Sequence, residues 1–260
     1  MDIHKVSESH YKFSYNREIL TESEAKELIV SDGAYLKENQ EILCRTSDVE
    51  SFIANCSDRK IFARKTSPSK WWKRIFGRWM TASETYFETA CAIRDIGLYT
   101  PRPIFTGYDL RSESYSSFFV REYLDDAIEL DDAIFHFEGR TKVQLLKAFA
   151  YFVAEIYSKG IYNCHLCSRN VLAQPDEKVQ FSFWVVDLDK RHKVWGSYRK
   201  TYVKFLARLT FGFYDKLNMD DQNFFLNQCF DAALKNNIYS RPSYLSQFNK
   251  SFKRAINRKN

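Results

Sequence analysis

Between residues 41 and 65 the chain reads EILCRTSDVESFIANCSDRKIFARK, with apolar and polar positions alternating at the period of half-buried strands and a turn at Asp58 and Arg59. This predicts two or three strands of a small antiparallel sheet. The period then changes. TASETYFETACAIRDIG opens on a capping-box pattern, Thr81 with Glu84, and stops at Gly97 with Pro101 and Pro103 beyond, so a helix is expected over 81–96. SSFFVREYLDD, residues 116–126, reads as a strand running into a linker. In TKVQLLKAFAYFVAEIYSKG, Leu145, Leu146, Phe149, Phe152, Val153 and Ile156 recur at helical spacing, which makes a core helix stopped by Gly160. NVLAQ and FSFWVVDLD flank the turn-like PDEK and predict a short hairpin. From about residue 198 the pattern is mostly helical, most clearly in YVKFLARL and DDQNFFLNQCFDAAL. Strands first and helices later give an α+β, two-lobed fold, a small antiparallel sheet lobe followed by a mainly helical one.

Composition narrows the class. The 260 residues are 45% apolar and 17% aromatic, with only 8 Gly and 5 Pro, a folded chain long enough to bury a core without staples. The opening MDIHKVSESHYKF has no apolar h-region, and no apolar run reaches the ~18 residues that span a bilayer, so neither an export signal nor an integral membrane segment is expected. Six cysteines, at 44, 56, 91, 164, 167 and 229, stand singly or in one close pair, as in a reducing compartment rather than a disulfide framework. The formal charge of +6 suits either a solvated basic surface or phosphate-rich partners. Nucleic acid is not expected, because the basic residues accompany neither a reading helix nor a stacking motif. Nothing in the pattern specifies an oligomeric state.

The candidate chemistry lies in the order core helix, Gly160, loop, Asn170, hairpin, strand ending in Asp187. That is the nucleotide-handling half of a protein-kinase-like fold. Two Mg²⁺ ions must be clamped on a triphosphate, and a carboxylate at a strand end with an amide oxygen from the preceding loop can grip them. The seventeen-residue interval between Asn170 and Asp187 leaves room for the hairpin.

AIRDIGLYTPRPI, followed by FFVREYL, GIYNCHLCSRNVLAQ and FWVVDLDK, resembles the lipopolysaccharide core kinases, the Kdo kinase and heptose kinase family, whose fold is similar to that of protein kinases. Gly97 to Pro103 reproduces the family's GIPTPRP-type turn after its αC-like helix, and the similarity runs from residue 40 to about 215. Residues 1–40 and the tail match nothing in it. The resemblance implies a small lobe over 1–122, comprising the N-terminal extension, the sheet and the αC-like helix, and a helical lobe over 123–260. It implies ATP and Mg²⁺ as cofactors, Asp187 and Asn170 as metal ligands, and Glu122 with Tyr123 as the hinge beside adenine. It also implies a phosphate-binding lysine in IFARK. Alternation places Ala63 and Lys65 on one face, so that Ala63 roofs the adenine and the Lys65 amine reaches the phosphates; Arg64 is the rival, since a shift of one residue swaps the faces. The helix partner of that cation is Glu88 or Glu84, four residues apart on one face, with Glu84 already engaged by the capping box. The implied acceptor is a lipopolysaccharide core or lipid A-linked sugar. The implied place is the cytoplasmic, peripheral side of the inner membrane of a Gram-negative bacterium, with which the basic, tryptophan-rich KWWKRIFGRW (70–79) agrees.

Two departures stand out. His165 occupies the place of the family's catalytic aspartate, and Asn163 that of its histidine; an imidazole can accept a hydroxyl proton near neutral pH but orients the hydroxyl less well than a carboxylate. Residues 41–62 contain no glycine, the residue that lets a phosphate-covering loop bring its N–H groups close. These departures leave two readings open: a sugar kinase with His165 in the aspartate's place, or a catalytically impaired pseudokinase acting as a nucleotide-binding or scaffold module in envelope biosynthesis. Cys164, His165 and Cys167 could also begin a zinc site, with Cys91, Cys229 and His192 as the remaining donors, although cysteines filling buried gaps account for them equally. Asp189 can add a metal ligand or solvate the loop, and the acids of DDAIELDD (125–132) suit a helix start.

Overall fold

The first forty residues, for which the pattern offers no element, open with two strands, β1 (Ile3–Ser7) and β2 (Tyr11–Asn16), and a helix, α1 (Glu22–Val30). The helix carries a capping box: the Glu24 N–H donates to Thr21 Oγ1 at 3.3 Å and the Thr21 N–H to Glu24 Oε2 at 2.8 Å. These coordinates are a computed structural model that describes residues 1–8, 11–31, 36, 41–56, 59–67, 82–109, 116–161, 166–177, 180–186, 202–236, 238 and 244–256. They form two compact units, the first ending at Asp125 and the second starting at Asp126, against the expected division between 122 and 123.

In the first unit the alternating stretch forms three strands, β3 (Glu41–Arg45), β4 (Val49–Cys56) and β5 (Arg59–Thr66). After the helix α2 (Ala82–Asp95) come β6 (Pro103–Asp109) and β7 (Ser117–Glu122). The sheet has seven strands, in the order β1-β2-β6-β7-β5-β4-β3, each pair antiparallel. It is wider than the small sheet expected because β1 and β2 continue it past β6.

The two faces of this sheet are covered differently. On one, Phe13, Phe105, Phe118, Val120, Phe52, Ile61 and Ala63 form an apolar cluster with Ala25, Leu28 and Ile29 of α1. Gly107 lets α1 come close, since a Cβ there would lie 2.8 Å from Ile29 Cδ1 and 2.7 Å from Phe105 Cζ. The other face carries α2, where Tyr86 stacks on Phe119 at 5.6 Å and Glu84 pairs with Lys12 at 2.9 Å. That ion pair holds the Lys12 ammonium above its usual range, mainly through the hydrogen bond to Glu84. The helix ends as the sequence implies: Gly97 takes φ 73° and the Leu98 N–H reaches back to Ile93 O at 3.1 Å.

The second unit contains a three-stranded sheet in the order β10-β9-β8, from β8 (Ile128–Glu129), β9 (Val171–Pro175) and β10 (Phe181–Val185). Its helices are α3 (Leu130–His136), α4 (Gly139–Ser158), α5 (Tyr202–Leu209), α6 (Met219–Lys235) and α7 (Tyr244–Ile256). The predicted stripe of α4 is buried, with Phe149 at its centre parallel to Phe225 at 6.0 Å and against Phe183 and Phe213. Gly160 closes the helix at φ 81°, and the Ile161 N–H returns to Ile156 O at 3.2 Å.

Burial grades the thiols. Cys44 is exposed, burial pushes Cys91 up to about 11, and the fully buried Cys229 is raised well above the ordinary value. At pH 8 a disulfide reagent is therefore expected to label Cys44 before Cys91 and to reach Cys229 only with unfolding. Peptide mapping over time checks the order; early labelling of Cys229 would contradict it. Among the described residues no helix is long and apolar enough to cross a membrane.

Candidate active site

The β9–β10 hairpin places Asn170. Its register pairs Val171 with Val185, and one further bond closes its base: the Val186 N–H donates to Asn170 O at 2.8 Å. On the other side the Asn170 N–H donates to Cys167 O at 2.9 Å, so the residue ends a 3₁₀ turn, Ser168–Asn170, clamped through both backbone groups. The amide of position 170 thus belongs to the same short hairpin base as the strand exit at Val186, and Asp187 is the next residue in the chain. Asp187 itself, with His165, Asn163, Cys164, Asp189 and His192, lies outside the described residues, as does the tryptophan-rich segment 70–79. Among the described residues no group of three or more His, Cys, Asp or Glu side chains could hold a metal.

Strand β5 divides the expected phosphate-binding features between two neighbours. Alternation does put Ala63 and Lys65 on one face, but that face lies under α1: Ala63 is fully buried in the apolar cluster, and its β7 partner Val120 belongs to the same cluster. Lys65 stands beyond it, with its ammonium 5.5 Å from the Phe118 ring, in a concavity of about 300 Å³ shared with the β3–β4 turn residues Thr46, Ser47 and Asp48. Arg64 projects from the opposite face, toward α2, where its guanidinium lies 4.9 Å from the Tyr86 ring. On that helix Glu84 pairs with Lys12 and Glu88 with Lys5 at 3.3 Å. The cation beside the αC-like helix is Arg64; the one beside the hairpin turn is Lys65.

At the end of β7, Glu122 and Tyr123 are tied into the sheet. The Glu122 N–H donates to Arg102 O at 2.9 Å and the Tyr123 N–H to Lys60 O at 3.2 Å. The Lys60 ammonium sits 4.7 Å from the Tyr123 ring and pairs with Asp125. A cavity of about 210 Å³ opens here, walled by Ile19, Lys60, Arg102, Glu122, Tyr123 and Asp125. Of these, Ile19 belongs to the extension. The signal that could have revealed that extension was local: Thr21 and Glu24 just ahead of Ala25, Leu28 and Ile29 are a capping box followed by helical periodicity.

Residues 46–227 match the model of the lipopolysaccharide kinase (Kdo/WaaP) family, more than half of the chain. The chain belongs to that family. Among solved structures, WaaP in complex with acyl carrier protein aligns at TM-score 0.58 and 16% identity, covering 85% of this chain and 90% of that one. The BubR1 kinase domain aligns at TM-score 0.40 and 9% identity over 74% of this chain and 50% of that one. No curated protein sequence matches. The likeness to WaaP shows the fold to be kinase-like, as the order of strands and helices in the two units implies. Lipopolysaccharide kinase family membership carries a phosphotransferase setting with it, and kinases draw phosphate from ATP, usually with Mg²⁺.

Proposed function

We propose that this lipopolysaccharide kinase family member transfers the γ-phosphate of ATP to a hydroxyl of a lipopolysaccharide core sugar, Kdo or heptose, at a membrane surface. The observation that carries the reading is the bond from Val186 to Asn170, which ties the turn bearing the amide to the strand that leads into Asp187. An amide oxygen and a carboxylate are donors that suit a hard divalent cation, and Asn170 and Asp187 would hold Mg²⁺. Bound there, Mg²⁺ supplies neutralisation of the charge shared by the β- and γ-phosphates. The sugar hydroxyl attacks the γ-phosphorus, the bond to the β-phosphate oxygen breaks, and ADP leaves with that oxygen. The imidazole of His165 takes the hydroxyl proton. Arg64, on the face of β5 that meets α2, is the cation for the phosphates in place of Lys65. The backbone at Glu122 and Tyr123, whose N–H groups are engaged in the sheet, is the hinge beside adenine.

Purified protein given labelled ATP, Mg²⁺ and deacylated core oligosaccharide is expected to yield a phosphate ester on the sugar. Loss of product across Kdo- and heptose-containing acceptors would remove the reading. Arg64→Ala is expected to weaken ATP binding about 10- to 100-fold, the worth of a hydrogen bond to a charged group, and Lys65→Ala less than about 2-fold. The reverse order in a calorimetric titration would return the role to Lys65. A second reading rests on His165 and on a β3–β4 turn without glycine: a module that binds nucleotide and transfers nothing. Mg²⁺-dependent thermal stabilisation by ATP with no product in the transfer assay would establish it.

A further inference from the structure

The turn that carries Asn170 begins at a buried hydroxyl that the reaction does not use. Ser168, its first residue, is 1% exposed, and its Oγ has no hydrogen-bond partner; Asp131, in the first turn of α3, has a buried Oδ1 in the same condition. Both oxygens crowd one point in the second unit. A Cβ on Gly212 would lie 2.6 Å from Ser168 Oγ, 2.5 Å from Asp131 Oδ2 and 3.0 Å from Asp131 Oδ1. A side chain at 212 would have to displace those oxygens. Arg169, between Ser168 and Asn170, approaches the same carboxylate, with Nε 3.9 Å from Asp131 Oδ2. A buried hydroxyl and a buried carboxylate oxygen left unpaired each cost about 1–3 kcal/mol, and here the donor and the acceptor face the same gap.

We infer that Asp131 positions Asn170 through Ser168: the Ser168 hydroxyl donates to the Asp131 carboxylate in the space that Gly212 leaves open, and the bond fixes the turn whose last residue presents the amide. Asp131 and Ser168 are positioning residues; neither touches nucleotide or sugar. The proposal rests on the reading of Asn170 as a metal ligand. It assigns to α3, a helix outside the loop and the hairpin, control over how firmly that ligand is held.

The test compares the full chain with Ser168→Ala, Asp131→Asn, Asp131→Ala and the double variant Asp131→Ala with Ser168→Ala. In nucleotide titrations, Ser168→Ala and Asp131→Ala are each expected to raise the Mg²⁺ concentration for half-maximal ADP binding about 10-fold, as loss of a group that orients a metal ligand does, while metal-free ADP binding is unchanged. Asp131→Asn keeps an acceptor oxygen and is expected to recover part of the loss. The double variant is expected to be no worse than the worse single one, because one bond is removed only once. Hydrogen exchange in the free protein is expected to quicken at the amides of Asn170 and Val186 and to stay the same along α4. Additive losses, or unchanged exchange at those two amides, would overturn the inference. Wild-type protein with no Mg²⁺-dependent nucleotide binding would instead overturn the phosphotransfer reading, and the exchange experiment would still decide whether Asp131 and Ser168 hold the turn. Ser168→Ala removes one oxygen from the core, so its thermal unfolding serves as the check that the fold persists.

Discussion

Asp187→Ala is expected to lower phosphate transfer by at least about a thousandfold. The magnitude follows from its proposed place. A carboxylate gripping a metal on a triphosphate works on charge that grows during transfer, an effect of several kcal/mol, and each 1.36 kcal/mol is tenfold in rate. Asp187 follows directly on Val186 in the chain, and the Val186 N–H is fixed to the Asn170 carbonyl at 2.8 Å. Asn170→Ala retains the backbone bonds and removes only the amide, so its loss is expected to be smaller than that of Asp187→Ala. Measured initial rates at saturating ATP and Mg²⁺ check both, with thermal unfolding in the absence of nucleotide confirming that the variants remain folded. Transfer by Asp187→Ala within about tenfold of the parent would remove the assignment of Asp187 and, with it, the metal site.

Phe149→Ala is expected to destabilise the second unit by about 3–5 kcal/mol, the usual cost of emptying a buried aromatic position. Phe149 is fully buried, lies parallel to Phe225 at 6.0 Å, and meets Phe183 at 5.6 Å and Phe213 at 5.9 Å. Rings held from α6, β10 and the segment after α5 would face a common void, and their own packing prevents them from filling it. The unfolding midpoint is expected to fall by about 10 °C or more, and Phe149→Leu by less than half as much. Chemical denaturation followed by tryptophan fluorescence and circular dichroism gives the number; a loss under about 1 kcal/mol would show that this cluster is not the core of the unit.

The stops of the two helices, and the hairpin, were legible in the sequence because each depends on interactions within a few residues. Gly97 and Gly160 take the left-handed conformation that ends α2 and α4, and the carbonyls they help to satisfy lie within the same helix. The hairpin of β9 and β10 follows from alternation on both sides of a turn. The extension was missed although its capping box was written in the sequence, since nothing in nine helical residues says that β2 will pair with β6 and β1 with β2. Likewise DDAIELDD reads as a solvated helix start, and its last two acids, Asp131 and Asp132, do lie in the first turn of α3, yet the Asp131 carboxylate is only 14% exposed because Gly212, more than eighty residues later, makes room for it.

By itself the sequence determined the helical and strand periods, the places where they break, and the pairing of an amide with a carboxylate at the spacing of a hairpin. Only the tertiary structure decided which face of β5 meets the helix carrying Glu84 and Glu88. Alternation assigns Ala63 and Lys65 to one side and Arg64 to the other, but it is blind to what covers each side. That was settled by α1, whose Leu28 and Ile29 bury the Ala63 face, and by α2, whose Tyr86 meets Arg64 on the reverse. A strand's period is a property of its own backbone, whereas the environment of each face depends on apolar surface brought from distant parts of the chain.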